Sequence, residues 1–125
     1  MSNFSIIALI FAGGGFGSLA RFGVGKTVIH FFQQTKFPLG TLITNTLACL
    51  LLGFIIYIFK DRILENEWIK YFLIIGFCGG FSTFSTFSLD TVKLFQDGLF
   101  TVGILNIIIS LALGIGILWV LVNTK

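Results

Sequence analysis

Apolar positions fill this chain in four long runs, and the charged positions fall in the short stretches between them. Segments free of Asp, Glu, Lys and Arg extend from Ser2 to Ala20, from Phe37 to Phe59, from Tyr71 to Leu89 and from Gly98 to Thr124. A helix needs about 20 apolar residues to cross a hydrocarbon layer about 30 Å thick. The pattern therefore predicts four membrane-spanning helices, at about residues 2–24, 37–59, 71–95 and 98–122, in one domain covering residues 1–125. The connections are too short for a soluble domain, and the only proline, Pro38, stands just after the first of them. Ala12, Gly13 and Gly14 give the first run small residues of the kind found at a signal-peptide cleavage site. No Lys or Arg precedes it, however, and it is longer than a signal core, so it reads as a helix of the mature protein.

Composition sharpens this picture. Charged residues make up 10% of the chain and apolar residues 56%, with 16 Phe among them, where soluble domains are roughly 25% charged. A chain this short has too much surface for its volume to hide so many apolar groups inside itself, so its solvent is largely lipid. A cytosolic enzyme, a disordered segment and a small secreted disulfide scaffold are excluded. The net charge of +3 comes from basic residues scattered singly, with no stripe that would track nucleic acid. Cys49 and Cys78 lie in separate apolar runs and read as small buried thiols. His30 has no ligating neighbours and reads as a loop or interfacial residue.

Orientation in a membrane follows the Lys/Arg bias of the connections. With both termini on one side, that side carries Lys60, Arg62, Lys70 and Lys125, and the other carries Arg21, Lys26, Lys36 and Lys93. The two sides balance. Nothing then dictates which way up the chain inserts, and if both orientations form, an antiparallel two-fold dimer follows naturally, like the inverted repeats of longer transport proteins.

In lipid the informative residues are polar, because each needs a partner or a wet path. The third run stands out: Gly76, Gly79 and Gly80 are followed by Ser82, Thr83, Ser85, Thr86 and Ser88. Glycines weaken a helix and hydroxyls bond the carbonyls so released, which predicts a break near Gly79 and Gly80. Carbonyls exposed there, doubled by an antiparallel copy, would make a cation cage; the competing reading is a close-packing surface built on Gly76 and Gly80. Phe84 and Phe87 share a helical face, and the positive edge of a ring attracts an anion without supplying a charge. Asn45, Asn106 and Ser110 add amide and hydroxyl donors, or else serve as interhelical glue. No carboxylate lies in the interior of a span, Asp90 standing at the end of the third, and no nucleophile–base arrangement is present, so neither a proton relay nor an enzyme is indicated. An anion is favoured as cargo.

Three blocks carry a family resemblance that covers nearly the whole length: Gly13 to Phe22 (GGGFGSLARF), Pro38 to Asn45 (PLGTLITN) and Gly76 to Ser88 (GFCGGFSTFSTFS). The chain resembles the Fluc (CrcB-type) fluoride channels. That resemblance implies an all-α membrane protein with four transmembrane helices per subunit, the third broken at its centre, assembled as an antiparallel dual-topology dimer. It implies a passive fluoride-selective channel of the prokaryotic plasma membrane that exports fluoride and confers resistance to it. By position it assigns Phe84, Phe87, Asn45, Ser110, Ser85 and Thr86 to the fluoride path. The backbone carbonyls of Gly79 and Ser82 fall to a structural sodium ion at the dimer centre, and Arg21 to a vestibule or an interfacial anchor. Its implied partners are fluoride, the bilayer and a second copy of the chain.

Four positions depart from the family pattern. Ser82 replaces a threonine, Ser18 an alanine, Asp90 a glutamate, and Asn106 a tyrosine one turn before Ser110. The alternative is a small dual-topology multidrug or guanidinium exporter, which needs a buried glutamate in the first span where this chain has none. A purely structural membrane subunit is the third reading.

Overall fold

A computed structural model describes residues 1–124; Lys125, one of the charges in the orientation count, lies outside the described residues. Every regular element among the described residues is a helix: α1 (Asn3–Phe31), α2 (Leu39–Phe59) closed by a 3-10 turn (Lys60–Arg62), a π-helical segment (Ile69–Cys78) continued by α3 (Gly79–Phe81), then α4 (Phe84–Gln96) and α5 (Phe100–Asn123). Four stretches are long and apolar enough to cross a membrane, Asn3–Phe31, Leu39–Arg62, Ile69–Gln96 and Phe100–Asn123.

Local chemistry sets these boundaries. Ser2 caps α1 by accepting the amide of Ser5, and α2 begins directly after Pro38, whose fixed φ suits a helix start. α4 ends in a Schellman motif: Gly98 takes φ +78, its amide bonds Phe95 O at 3.0 Å, and the Leu99 amide bonds Leu94 O at 2.8 Å. Only glycine adopts that φ without strain. α1 runs seven residues past the end expected from hydropathy. No proline stands before Pro38, and Val24, Val28 and Ile29 continue the apolar pattern through the polar Lys26 and Thr27. At 29 residues α1 is about 43 Å long, so its end reaches beyond the hydrocarbon. His30 therefore closes the last turn of a helix rather than sitting in a loop, edge-on to Phe31 with centroids 5.2 Å apart.

α1 packs along the first half of the third span, α2 along α5, and α4 against α5. The first contact is the tightest. A Cβ at Gly17 would strike the carbonyl of Phe77 and one at Gly80 the backbone of Gly14, so the two backbones touch without side chains between them. Cys78, Ile69 and Ile55 are buried together nearby.

The third span is not interrupted at Gly79 and Gly80. Gly79 has helical φ −64 and ψ −38, and Gly80 lies within α3. The extended residues are Ser82, with φ −83 and ψ 157, and Thr83, with φ −150 and ψ 114. Gly80 stays helical pressed against the backbone of Gly14; the backbone departs where side chains can replace its lost bonds.

Candidate functional site

A backbone that leaves the helix inside a membrane must have its polar groups satisfied by protein. At Ser82 and Thr83 this is done mainly from α2. The carboxamide of Asn45 accepts the Thr83 amide at 2.8 Å through Oδ1 and donates Nδ2 to the Thr83 carbonyl at 3.1 Å. Both amide functions act together, as a neighbouring strand would. The Thr83 hydroxyl in turn caps α4 by accepting the Thr86 amide at 3.1 Å, as favoured at an N-cap, and donates to Thr86 Oγ1, also at 3.1 Å. Ser82 Oγ returns to Cys78 O at 3.0 Å.

These substitutions release particular carbonyls. In a continuous helix Gly79 O would accept from the Thr83 amide and Ser82 O from the Thr86 amide; the first donor is turned to Asn45 and the second to the Thr83 hydroxyl. Gly80 O instead takes Nε of Arg21 at 3.1 Å. That bond gives the Arg21 guanidinium one partner within the protein.

Two cavities flank this point, and Thr83 borders both. The larger, about 630 Å³, is lined by Arg21, Lys26, Thr41, Thr86 and Asp90 among others. Across it Thr41 Oγ1 donates to Asp90 Oδ2 at 2.7 Å. The smaller, about 310 Å³, gathers Asn45, Ser82, Phe84, Phe87 and Ser110, with Cys49 on its wall, and no ionisable acid or base of the Asp, Glu, Lys, Arg or His type lines it. Phe84 and Phe87 lie 5.9 Å apart at their centroids, tilted by 42°. Phe84 is 78% exposed on the single chain. In Asn45, one N–H of Nδ2 remains beyond the bond to Thr83.

Four of the six residues assigned to the fluoride path thus share one cavity. Thr86 lines the other, and Ser85 is exposed beside Thr83, their hydroxyls 3.3 Å apart, lining neither. Arg21 stands in the larger, charged cavity. Asn106, expected one turn before Ser110, is buried at 1% exposure: it accepts from Ser110 Oγ at 3.3 Å and donates Nδ2 to Thr91 Oγ1 at 3.0 Å, while Thr91 donates to Phe87 O at 2.9 Å. Thr83 and Thr91 were missed as site residues. For Thr83 the signal was a hydroxyl three residues before another at a helix start; for Thr91 it was the one-turn spacing from Phe87, obscured by the flanking charges Asp90 and Lys93. Among the described residues no cluster of three or more His, Cys, Asp or Glu could hold a metal.

Four apolar spans, an interruption stitched by side chains and a polar, aromatic cavity beside it define a multi-pass helical membrane protein with the parts of an ion-conducting site. The family model for CrcB-like protein, Camphor Resistance (CrcB), matches residues 8–122, and the chain belongs to that family. Curated relatives carry the name fluoride-specific ion channel FluC: one from Coxiella burnetii (strain CbuK_Q154) is 39% identical over 114 residues, 90% of this chain and 91% of the relative. One from Phocaeicola vulgatus is 43% identical over 111 residues, 87% and 88% of the two chains, and one from Flavobacterium psychrophilum is 37% identical over 113 residues, 90% of each. These relatives are channels by name, not enzymes.

Proposed function

We propose that this chain forms a passive, fluoride-selective channel in the prokaryotic plasma membrane, letting fluoride leave the cytoplasm and so conferring resistance to it. The observation that carries the reading is the small cavity in which Asn45, Phe84, Phe87 and Ser110 converge with no charged side chain on its wall. Ring edges and neutral donors can replace hydration around a small anion without binding it so firmly that it cannot leave. The larger cavity, with Arg21 and Lys26, serves as the vestibule that concentrates anions before they lose water. The names of the relatives supply the anion: fluoride.

The working unit in this proposal is an antiparallel dual-topology homodimer within the bilayer. The even charge count supports insertion both ways up, and the outward-facing Phe84 supports a second chain completing the path. Gly79 and Ser82, whose carbonyls have lost their helical donors to Asn45 and Thr83, would hold a structural sodium ion, the partner copy supplying the same pair. Such an ion would tie the two interruptions together by charge and stabilise only the assembled dimer.

Fluoride efflux from liposomes containing the purified protein tests the reading. Fluoride is expected to run down its gradient without proton coupling while chloride stays behind; equal passage of chloride overturns the selectivity. Phe84→Ile and Phe87→Ile should each slow fluoride efflux about fivefold with the dimer intact, because an edge contribution of about 1 kcal/mol is lost while bulk is kept. Normal efflux in both variants would remove the rings from the path.

A further inference from the structure

Ser110 reaches the small cavity, but its proton points away from it. The hydroxyl donates to Asn106 Oδ1 at 3.3 Å, which leaves only oxygen lone pairs toward the cavity, and lone pairs repel an anion. Simply turning the hydroxyl outward would leave the Asn106 oxygen without a donor in a residue that is 1% exposed, a costly arrangement for a buried acceptor. The groups behind Asn106 provide another way. Its Nδ2 donates to Thr91 Oγ1, and Thr91 donates to Phe87 O, so three protons all point along one chain, from the cavity toward the backbone of Phe87.

We infer that Phe87 O, Thr91, Asn106 and Ser110 form a hydrogen-bond relay whose polarity reverses when an anion enters the cavity, with Thr91 and Asn106 as positioning residues for Ser110. A carboxamide is flat, and a half-turn about its Cβ–Cγ bond exchanges donor and acceptor at both ends. After that half-turn Asn106 Nδ2 donates to Ser110 Oγ, and Asn106 Oδ1 accepts the hydroxyl of Thr91. Ser110 is then free to donate to the anion. Phe87 O loses only its second donor, because the Thr91 amide still bonds it within α4. No buried polar group is left unpaired in either state, and no proton leaves its parent atom. The relay begins at the carbonyl of one cavity residue, Phe87, and ends at the hydroxyl of another.

The relay rests on the fluoride-channel reading, and the test separates the two. Fluoride efflux is measured in liposomes for the wild type, Thr91→Val, Thr91→Ser, Ser110→Ala and the Thr91→Val/Ser110→Ala double variant, with dimer fraction followed in each. Thr91→Val keeps shape but cannot donate to a turned Asn106. Efflux is expected to fall about fivefold, the loss of one hydrogen bond, and to recover in Thr91→Ser. In the Ser110→Ala background, itself slowed, adding Thr91→Val should change nothing further, since the group being positioned is gone. Wild-type efflux in Thr91→Val, an undiminished rate in Ser110→Ala, no recovery in Thr91→Ser, or losses that multiply in the double variant would each overturn the relay. A wild type that moves no fluoride overturns the channel reading instead. Should Thr91→Val fail to assemble, Thr91→Ala repeats the comparison with a smaller side chain.

Discussion

The two halves of the third span are irregular for opposite reasons. In the first half, glycine lets two backbones touch: Gly80 meets Gly14, and Gly17 meets Phe77, with no side chain between. The helix there is widened but its own bonds persist. In the second half the backbone leaves the helix at Ser82 and Thr83, and a single carboxamide from α2 takes over both functions of the Thr83 peptide. Glycine content therefore marks where helices press together, while the interruption sits where a side chain can stand in for backbone.

Substitutions can separate these two halves. The largest effect is expected for Asn45→Leu, which leaves the Thr83 amide and carbonyl unpaired at membrane depth. At about 1–3 kcal/mol for each group, unfolding in detergent should show a loss of about 2–6 kcal/mol together with abolished efflux. A stable, conducting Asn45→Leu variant would mean the stitch is dispensable. Gly17→Ala comes next: the added methyl meets the backbone at Phe77, which cannot move aside as a side chain can, and overpacking of this kind costs about 1–3 kcal/mol. The same denaturation series measures it, and unchanged stability would show that the seam between α1 and the third span is looser than its geometry. Gly79→Ala should be the mildest. No atom lies within 4 Å of the added Cβ, and alanine favours a helix over glycine by up to about 1 kcal/mol, so a single chain should be unchanged or slightly more stable. A collapse of the dimer fraction in that variant would reveal that a second chain occupies this exposed face.

Much of the fold was legible in the spacing of apolar residues, because four runs of membrane-spanning length leave few alternatives for a chain so poor in charge. The end of α1 was not, since a helix can carry Lys26 and His30 past the hydrocarbon once its start is paid for by burial elsewhere. The position of the interruption was misread for a physical reason. Glycine's weakness as a helix former is a local property, whereas the backbone contact made by Gly76 and Gly80 comes from α1, some sixty residues away in the chain. Gly79 and Ser82 were singled out by family resemblance alone, and the donors their carbonyls would have in a continuous helix are turned to Asn45 and Thr83. Asn45 and Ser110 were legible as groups that are expensive in lipid, and Phe84 and Phe87 as rings sharing one helical face. Thr91 and the role of Asn106 were not, because hydroxyl–amide–hydroxyl chains run across two helices and leave no periodic mark in either.

Thr83 borders both a charged chamber and an aromatic one, and among the described residues no other lines the two together. Its hydroxyl starts α4, its peptide docks on α2, and its surface belongs to both compartments. Such a position has almost no room for drift: a bulkier residue would intrude on two chambers at once, and one lacking the hydroxyl would unseat a helix.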